Sequence, residues 1–214
     1  GTNSFGRGIS RDGHVIVGSA QTSAGVTTAA YWVDSGSATE IGILPGGGAS
    51  AANAANADGS VIVGESEAGG RYRAFRWTSA TNTMVDLGTL GGLESSAAGV
   101  SDDGSVVVGQ AGQGGGVYNG FRWTETTGML SVDDWLRQSG ATLVSDVTNE
   151  ATGVSADGTL VVGTLRNGKA YVARGASTDS SGPSAGIITV EDYMQSFNGL
   201  PRHFFVPQQV ADLA

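Results

Sequence analysis

The sequence holds two histidines, His14 and His203, and no cysteine. Serine-based hydrolysis needs an imidazole to take the hydroxyl proton, so any Ser-His-acid set in this chain must be built on one of these two. Ser184 is the matching nucleophile candidate, because Gly182-Pro183-Ser184-Ala185-Gly186 fits the Gly-x-Ser-x-Gly pattern. That pattern makes a nucleophile elbow only between a strand and a helix. Here a stretch rich in Ser, Asp and Gly precedes and Ile187-Ile188 follows, which reads as a linker. His14 is singular in another way, since it stands where three related segments carry Ser60, Ser105 and Thr159. Histidine is also simply tolerated after a turn, and that reading outweighs catalysis.

The other reactive types point to structure or binding. Asp133-Asp134 and Glu191-Asp192 pair carboxylates, but they fit helix starts better than a glycosidase acid and base, which need a cleft between them. No histidine has metal-ligand spacing to a partner, so neither a metal nor a cofactor is expected. Binding chemistry concentrates in two glycine-flanked gaps, Arg71-Tyr72-Arg73 and Tyr118-Asn119. Rings and guanidinium forks suit sugars or acidic peptides, and both residue types are enriched at binding hot spots. The competing reading is a pair of solvated hairpin tips kept flexible by glycine.

These residues are spaced by a phrase that recurs four times. Its fullest form is Ser101-Asp102-Asp103-Gly104-Ser105-Val106-Val107-Val108-Gly109, and its Asp-Gly glycines fall at 13, 59, 104 and 158, intervals of 46, 45 and 54 residues. A fixed period of this size marks a repeat array. Asp-Gly between two strand-like runs predicts a tight hairpin, because Gly accepts positive φ and Asp can bond its own backbone. The apolar runs Val15-Ile16-Val17, Val61-Ile62-Val63, Val106-Val107-Val108 and Leu160-Val161-Val162 predict strands covered on both faces. Ala74-Phe75-Arg76-Trp77-Thr78 and Gly120-Phe121-Arg122-Trp123-Thr124 alternate, which predicts half-buried strands with the arginines on a wet face.

About four short strands per unit give an all-β fold, a propeller-like array of four-stranded blades with a β-solenoid as the alternative. The units span about 1–49, 50–94, 95–143 and 144–197, followed by a strap or connector at 198–214. Two helical insertions are expected, one opening at Ser131 and one at Thr189, with Gly140 ending the first. The fourth unit has Tyr171-Val172-Ala173-Arg174 in place of the tryptophan strand, as a capping repeat would. Trp32, Trp77 and Trp123 are expected to be equivalent core anchors. Four blades is the lower limit for a ring, so completion by further chain or by another subunit, a homo-oligomer, is anticipated.

Composition narrows the function classes. Net charge is −9, with ten arginines and one lysine, so no basic stripe exists to neutralise phosphates and nucleic acid is an unfavoured partner. The absence of cysteine rules out disulfide frameworks, thiol catalysis and cysteine-ligated zinc together, and the 36 glycines mark a glycine-rich chain that still has enough apolar residues to fold. No apolar run nears the ~18 residues of a spanning helix. The chain opens on Gly1-Thr2 with a repeat already under way, which suggests a fragment of something longer.

Ala97-Ala98-Gly99-Val100-Ser101 leading to Asp103-Gly104, then Ala74-Phe75-Arg76-Trp77-Thr78, then Asp86-Leu87-Gly88-Thr89-Leu90-Gly91-Gly92 together resemble bacterial extracellular repeats named for a His-Ala-Phe tripeptide. Here that tripeptide reads Arg73-Ala74-Phe75, without the histidine. Val132-Asp133-Asp134-Trp135-Leu136 and the following repeat resemble the last units of autotransporter passengers that carry this family. The resemblance covers about residues 6–196. It implies export to the surface of a Gram-negative bacterium, with a C-terminal barrel in the outer membrane, and it implies no activity. The expected function is a cell-surface binding or adhesion module for a host or cell-surface glycan or protein. The alternatives are a surface hydrolase acting on esters or glycans and a purely structural display scaffold.

Overall fold

The computed structural model describes residues 3–34, 36–143, 147–175 and 185–190. In them, four antiparallel sheets of four strands follow one another, each a meander of consecutive strands. The first is β1 (Ser4–Ile9), β2 (Val15–Gln21), β3 (Thr27–Val33) and β4 (Thr39–Gly42). The second is β5 (Ser50–Ala55), β6 (Val61–Ala68), β7 (Arg71–Thr78) and β8 (Thr83–Asp86). The third is β9 (Ser95–Val100), β10 (Val106–Gly114), β11 (Val117–Thr124) and β12 (Gly128–Ser131). The fourth is β13 (Thr148–Val154), β14 (Leu160–Leu165), β15 (Ala170–Arg174) and β16 (Gly186–Thr189). The first strands β1, β5, β9 and β13 pack against each other in succession, so the sheets stand as neighbouring blades. This is a propeller-like array, not the continuous coil of a solenoid.

The recurring phrase builds the loop between the first and second strand of each blade. The Oδ1 atoms of Asp12, Asp58, Asp103 and Asp157 accept the backbone N–H two residues on, at 3.0, 2.9, 2.9 and 3.0 Å. The residue opening the phrase closes the loop from the other side: Ser10, Asn56, Ser101 and Ser155 accept the N–H of Val15, Val61, Val106 and Leu160 at 2.8–3.0 Å. Side chains thus satisfy backbone donors that no ladder reaches. The loop is longer than a two-residue Asp-Gly hairpin. Gly13 N–H returns to the Ser10 carbonyl at 3.0 Å, and glycine holds the left-handed residue after that turn, at φ 80°.

The glycine ending the phrase has a different cause. A Cβ on Gly18, Gly64, Gly109 or Gly163 would lie 1.9–2.1 Å from a carbonyl oxygen of the neighbouring first strand. Each first strand carries a register shift close by, as at Gly6/Gly8 and Ala52/Ala54, and the bulged backbone leans onto the glycine.

Three apolar clusters fill the three blade-to-blade interfaces. Each is made the same way. One blade offers a trailing face of β-branched residues, and the next meets it with a leading face of larger ones. Val15, Val17 and Ala29 thus meet Ile62, Phe75 and Trp77, while Val61, Val63 and Ala74 meet Val107 and Phe121. Val106 and Val108 in turn meet Val161, Tyr171 and Ala173. The apolar runs of the middle blades are buried on both faces as expected, but Ile16 of the first blade is 38% exposed and Val162 of the fourth is half-buried, because among the described residues no further blade stands beyond either.

The arginines of β7 and β11 correct the expectation of a wet face. Arg76 Nε donates to the Gly104 carbonyl at 3.1 Å and Arg122 Nη2 to that of Gly158 at 3.3 Å, each reaching the loop of the next blade. Arg76 also lies 5.9 Å from the Trp123 ring centroid and Arg122 4.9 Å from that of Trp135. Ala74 on the same face is fully buried. The three tryptophans are not equivalent in burial either. Trp77 is 2% exposed, whereas Trp32 and Trp123 are only partly covered.

The helix α1 (Val132–Gln138) is capped by Ser131, whose Oγ accepts the Asp134 N–H at 2.9 Å, and Gly140 follows its end at φ 91°. Asp133 is fully buried and ties the helix to β13, accepting the N–H of Val147 at 2.9 Å and the Thr148 hydroxyl. The second expected helix, beyond Thr189, lies outside the described residues, as does the strap at 198–214.

Candidate functional site

The connectors from one blade to the next run along the rim that carries the β6–β7 and β10–β11 hairpins. Glycines seat them there: Gly92 N–H bonds the Gly112 carbonyl at 2.9 Å, and a Cβ at Gly92 would lie 2.5 Å from the Gly112 carbonyl carbon. Ser95 Oγ donates to the Gly88 carbonyl at 2.6 Å and accepts the Ala74 N–H at 2.9 Å. The connector residues Leu93 and Glu94 are therefore held on a firm base.

Glu94 is where two of the expected binding gaps come together. Arg71, opening β7 of the second blade, lies 3.4 Å from its Oε1, and the Tyr118 hydroxyl of β11 donates to its Oε2 at 3.0 Å. The carboxylate bridges two blades and remains 35% exposed, with Arg71 52% exposed. The hydrogen bond to Glu94, and then the charge of Glu94, push the Tyr118 phenol above its ordinary value. On the same rim Tyr72, Leu93 and Val117 are exposed apolar surface. A rim with an acceptor, a cation, a phenol and bare apolar faces can hold a ligand that is polar at its edges and apolar on its faces.

The remaining sequence candidates separate from this cluster. Arg73 is half-buried, paired with Ser66 across the β6–β7 ladder. Asn119 is fully buried, and its Oδ1 accepts from Arg166 of the fourth blade, so it joins blades and faces no solvent. Glu94 was missed in the sequence because it sits in a connector. The signal was present, since it occupies the position before Ser95 where the preceding unit has Ala49 before Ser50.

His14 lies on the loops carrying the repeated phrase. Its Nδ1 is 2.7 Å from Asp34 Oδ1, with both side chains about two-thirds exposed, at 65% and 66%. The hydrogen bond to Asp34, then the charges of Asp34 and Asp12, raise the imidazole above its ordinary value. This is a solvent-exposed histidine–carboxylate pair. Among the described residues no hydroxyl bonds the ring. Ser184 and His203 lie outside the described residues. No cluster of three or more His, Asp or Glu positioned to hold a metal occurs among the described residues, and none of their helices is long and apolar enough to cross a membrane.

No protein-family model and no curated relative matches the sequence. Solved structures do match the arrangement of blades. The chain is similar to TolB. Against TolB from Acinetobacter baumannii the TM-score is 0.54 at 13% identity, over 88% of this chain and 43% of that one. Against a putative TolB from Agrobacterium tumefaciens it is 0.56 at 13% identity, over 86% of this chain and 63% of the other. At that identity the likeness concerns the fold, and this chain spans about half the length of these TolB chains.

Proposed function

We propose that this domain is an exported cell-surface binding module, the passenger part of an autotransporter-like protein, and that its ligand is a glycan of the host or cell surface. The observation that carries the site is the convergence of Arg71 and Tyr118 on Glu94 from two successive blades. Export rests on the resemblance of the repeats to extracellular ones. A sugar presents hydroxyls around its edge and C–H groups on its faces. Glu94 would accept from those hydroxyls, Arg71 would donate to ring or carboxylate oxygens, and the exposed Tyr72 ring offers a stacking face. Variable loops on a rigid scaffold are where binding is usually carried.

The test is a glycan-array screen of the purified domain, repeated with the combined Arg71→Ala, Tyr72→Ala and Tyr118→Ala variant. A bound glycan should lose at least about tenfold in affinity, the scale of a single hot-spot contact. Unchanged affinity places the ligand elsewhere.

The His14–Asp34 pair favours one second reading, a surface hydrolase in which Asp34 orients the imidazole. Esterase activity on a short acyl ester that disappears in His14→Ala while the fold survives would support it.

A further inference from the structure

We infer that the glycan taken at the Glu94 rim is an acidic one, a chain of uronic-acid sugars whose carboxylates sit on Arg71 and Arg73. This rests on the glycan reading of that rim and adds the charge of the ligand.

The observation behind it is a departure from the repeat. In each blade one residue of the third strand stands opposite the glycine that ends the phrase: Ala30, Phe75, Phe121 and Tyr171. Four and two residues before it the first blade has Val26 and Thr28, the third Val117 and Asn119, and the fourth Asn167 and Lys169. The second blade alone has arginine at both places, Arg71 and Arg73. Packing does not ask for a cation there, because Thr28 and Asn119 fill the nearer place as buried neutral residues.

Neither arginine is used up by the fold. Arg71 is 52% exposed and reaches Glu94 through Nη1 alone, at 3.4 Å, longer than the ~2.7–3.2 Å of a well-formed N–H···O bond. Arg73 stands two residues further along β7, away from that carboxylate. Among the described residues its guanidinium has no ion pair and no hydrogen bond. Alternate residues of a strand project to one side, so the two cations share a side of β7. The other carboxylate nearby is Glu67, across the ladder from Tyr72, and its Oε2 accepts the Gly48 N–H at 3.1 Å. What remains open is a pair of N–H forks, and a fork of that shape matches a carboxylate. Glu94, already held by Tyr118, is left to accept sugar hydroxyls, with the Tyr72 ring beside it.

The chain's net charge of −9 does not oppose an anion at this place. The repeated aspartates precede the second strands, and β6 runs eight residues from that end to the hairpin, about 26 Å at ~3.3 Å per residue. Physiological salt screens charges beyond ~8 Å.

The experiment is an array carrying oligogalacturonate and oligoglucuronate, each as free acid and as methyl ester, beside neutral glycans, followed by titration calorimetry of the bound pair. Esterification removes the charge and keeps the rings and hydroxyls. The parent domain should bind a free acid at least about tenfold more tightly than its ester, the scale of one charge-assisted contact. Arg73→Gln should bring the acid down towards the ester and leave the ester unchanged, and Arg73→Lys should keep part of the preference. Equal binding of acid and ester, or binding of neutral glycans alone, overturns this inference and leaves the glycan reading standing. Binding of no glycan of either kind removes both. A preference for the acid that survives Arg73→Gln and the combined Arg71→Gln and Arg73→Gln variant, with circular dichroism unchanged, also overturns it, since the anion is then held elsewhere.

Discussion

Arg76 Nε donates to the carbonyl oxygen of Gly104 at 3.1 Å, so a guanidinium from the third strand of one blade holds the first loop of the next. Arg122 repeats this on Gly158 and is half-buried against Trp135. Arg76→Ala should cost about 1.5–3 kcal/mol, the range for a hydrogen bond to a charged group. Arg76→Lys should recover little, because a lysine lacks both the planar stack and the fixed N–H direction. Urea unfolding midpoints of the three proteins check the ranking.

The tryptophans should rank by burial. Trp77→Ala empties a fully packed site and should cost about 3–5 kcal/mol. Trp32→Ala and Trp123→Ala should cost less, since both rings are only partly covered. Equal losses in all three, measured by thermal melting, would contradict the packing described.

The glycine ending the phrase should be the least replaceable residue of the repeat. Gly109→Ala places a methyl 2.1 Å from the Ser96 carbonyl oxygen, which is backbone and cannot swing away. Gly70→Ala meets nothing within 4 Å and carries only the strain of φ 78°. The first should not yield a folded domain at 37 °C, while the second should lose about 1 kcal/mol. Soluble yield and melting temperature separate the two outcomes.

Acid should loosen the loops at a definite point. Hydrogen bonds from Ser10, Ser60, Ser101 and Ser155, with backbone N–H groups second, hold Asp12, Asp58, Asp103 and Asp157 below the ordinary 3.8. A depressed folded pKa means that the unfolded chain binds protons first as pH falls. The contribution is therefore complete above about pH 4–5 and is lost as pH drops through the folded values. The melting temperature should fall steeply below pH 4, and less steeply in Asp103→Asn.

His14 titrates in the opposite sense. Its raised pKa means that the pair with Asp34 favours folding fully below about pH 6.5 and loses that effect as pH rises through the folded value. Both side chains are exposed, so salt should screen the effect. The NMR titration of His14 should lie above 6.5 and return towards it in Asp34→Asn.

The sequence by itself determined the blade. The phrase Ser-x-Asp-Gly names its own loop, because each of those side chains bonds backbone only a few residues away, and such local geometry is written in consecutive residues. The cap at Ser131 was legible for the same reason. What the neighbours do was not legible. Alternation in Phe75-Arg76-Trp77 marks two faces, but a period of two is silent on whether water or another blade covers the arginine. Glu94, Arg71 and Tyr118 are far apart in the chain and meet only because successive blades place a connector between two hairpins. Asn119 looked like a loop residue beside Tyr118, yet the fold buries it against Arg166 of the next blade. The tertiary structure decided these, since contact between blades depends on which side chains stand opposite one another across an interface, and no spacing along one strand encodes that.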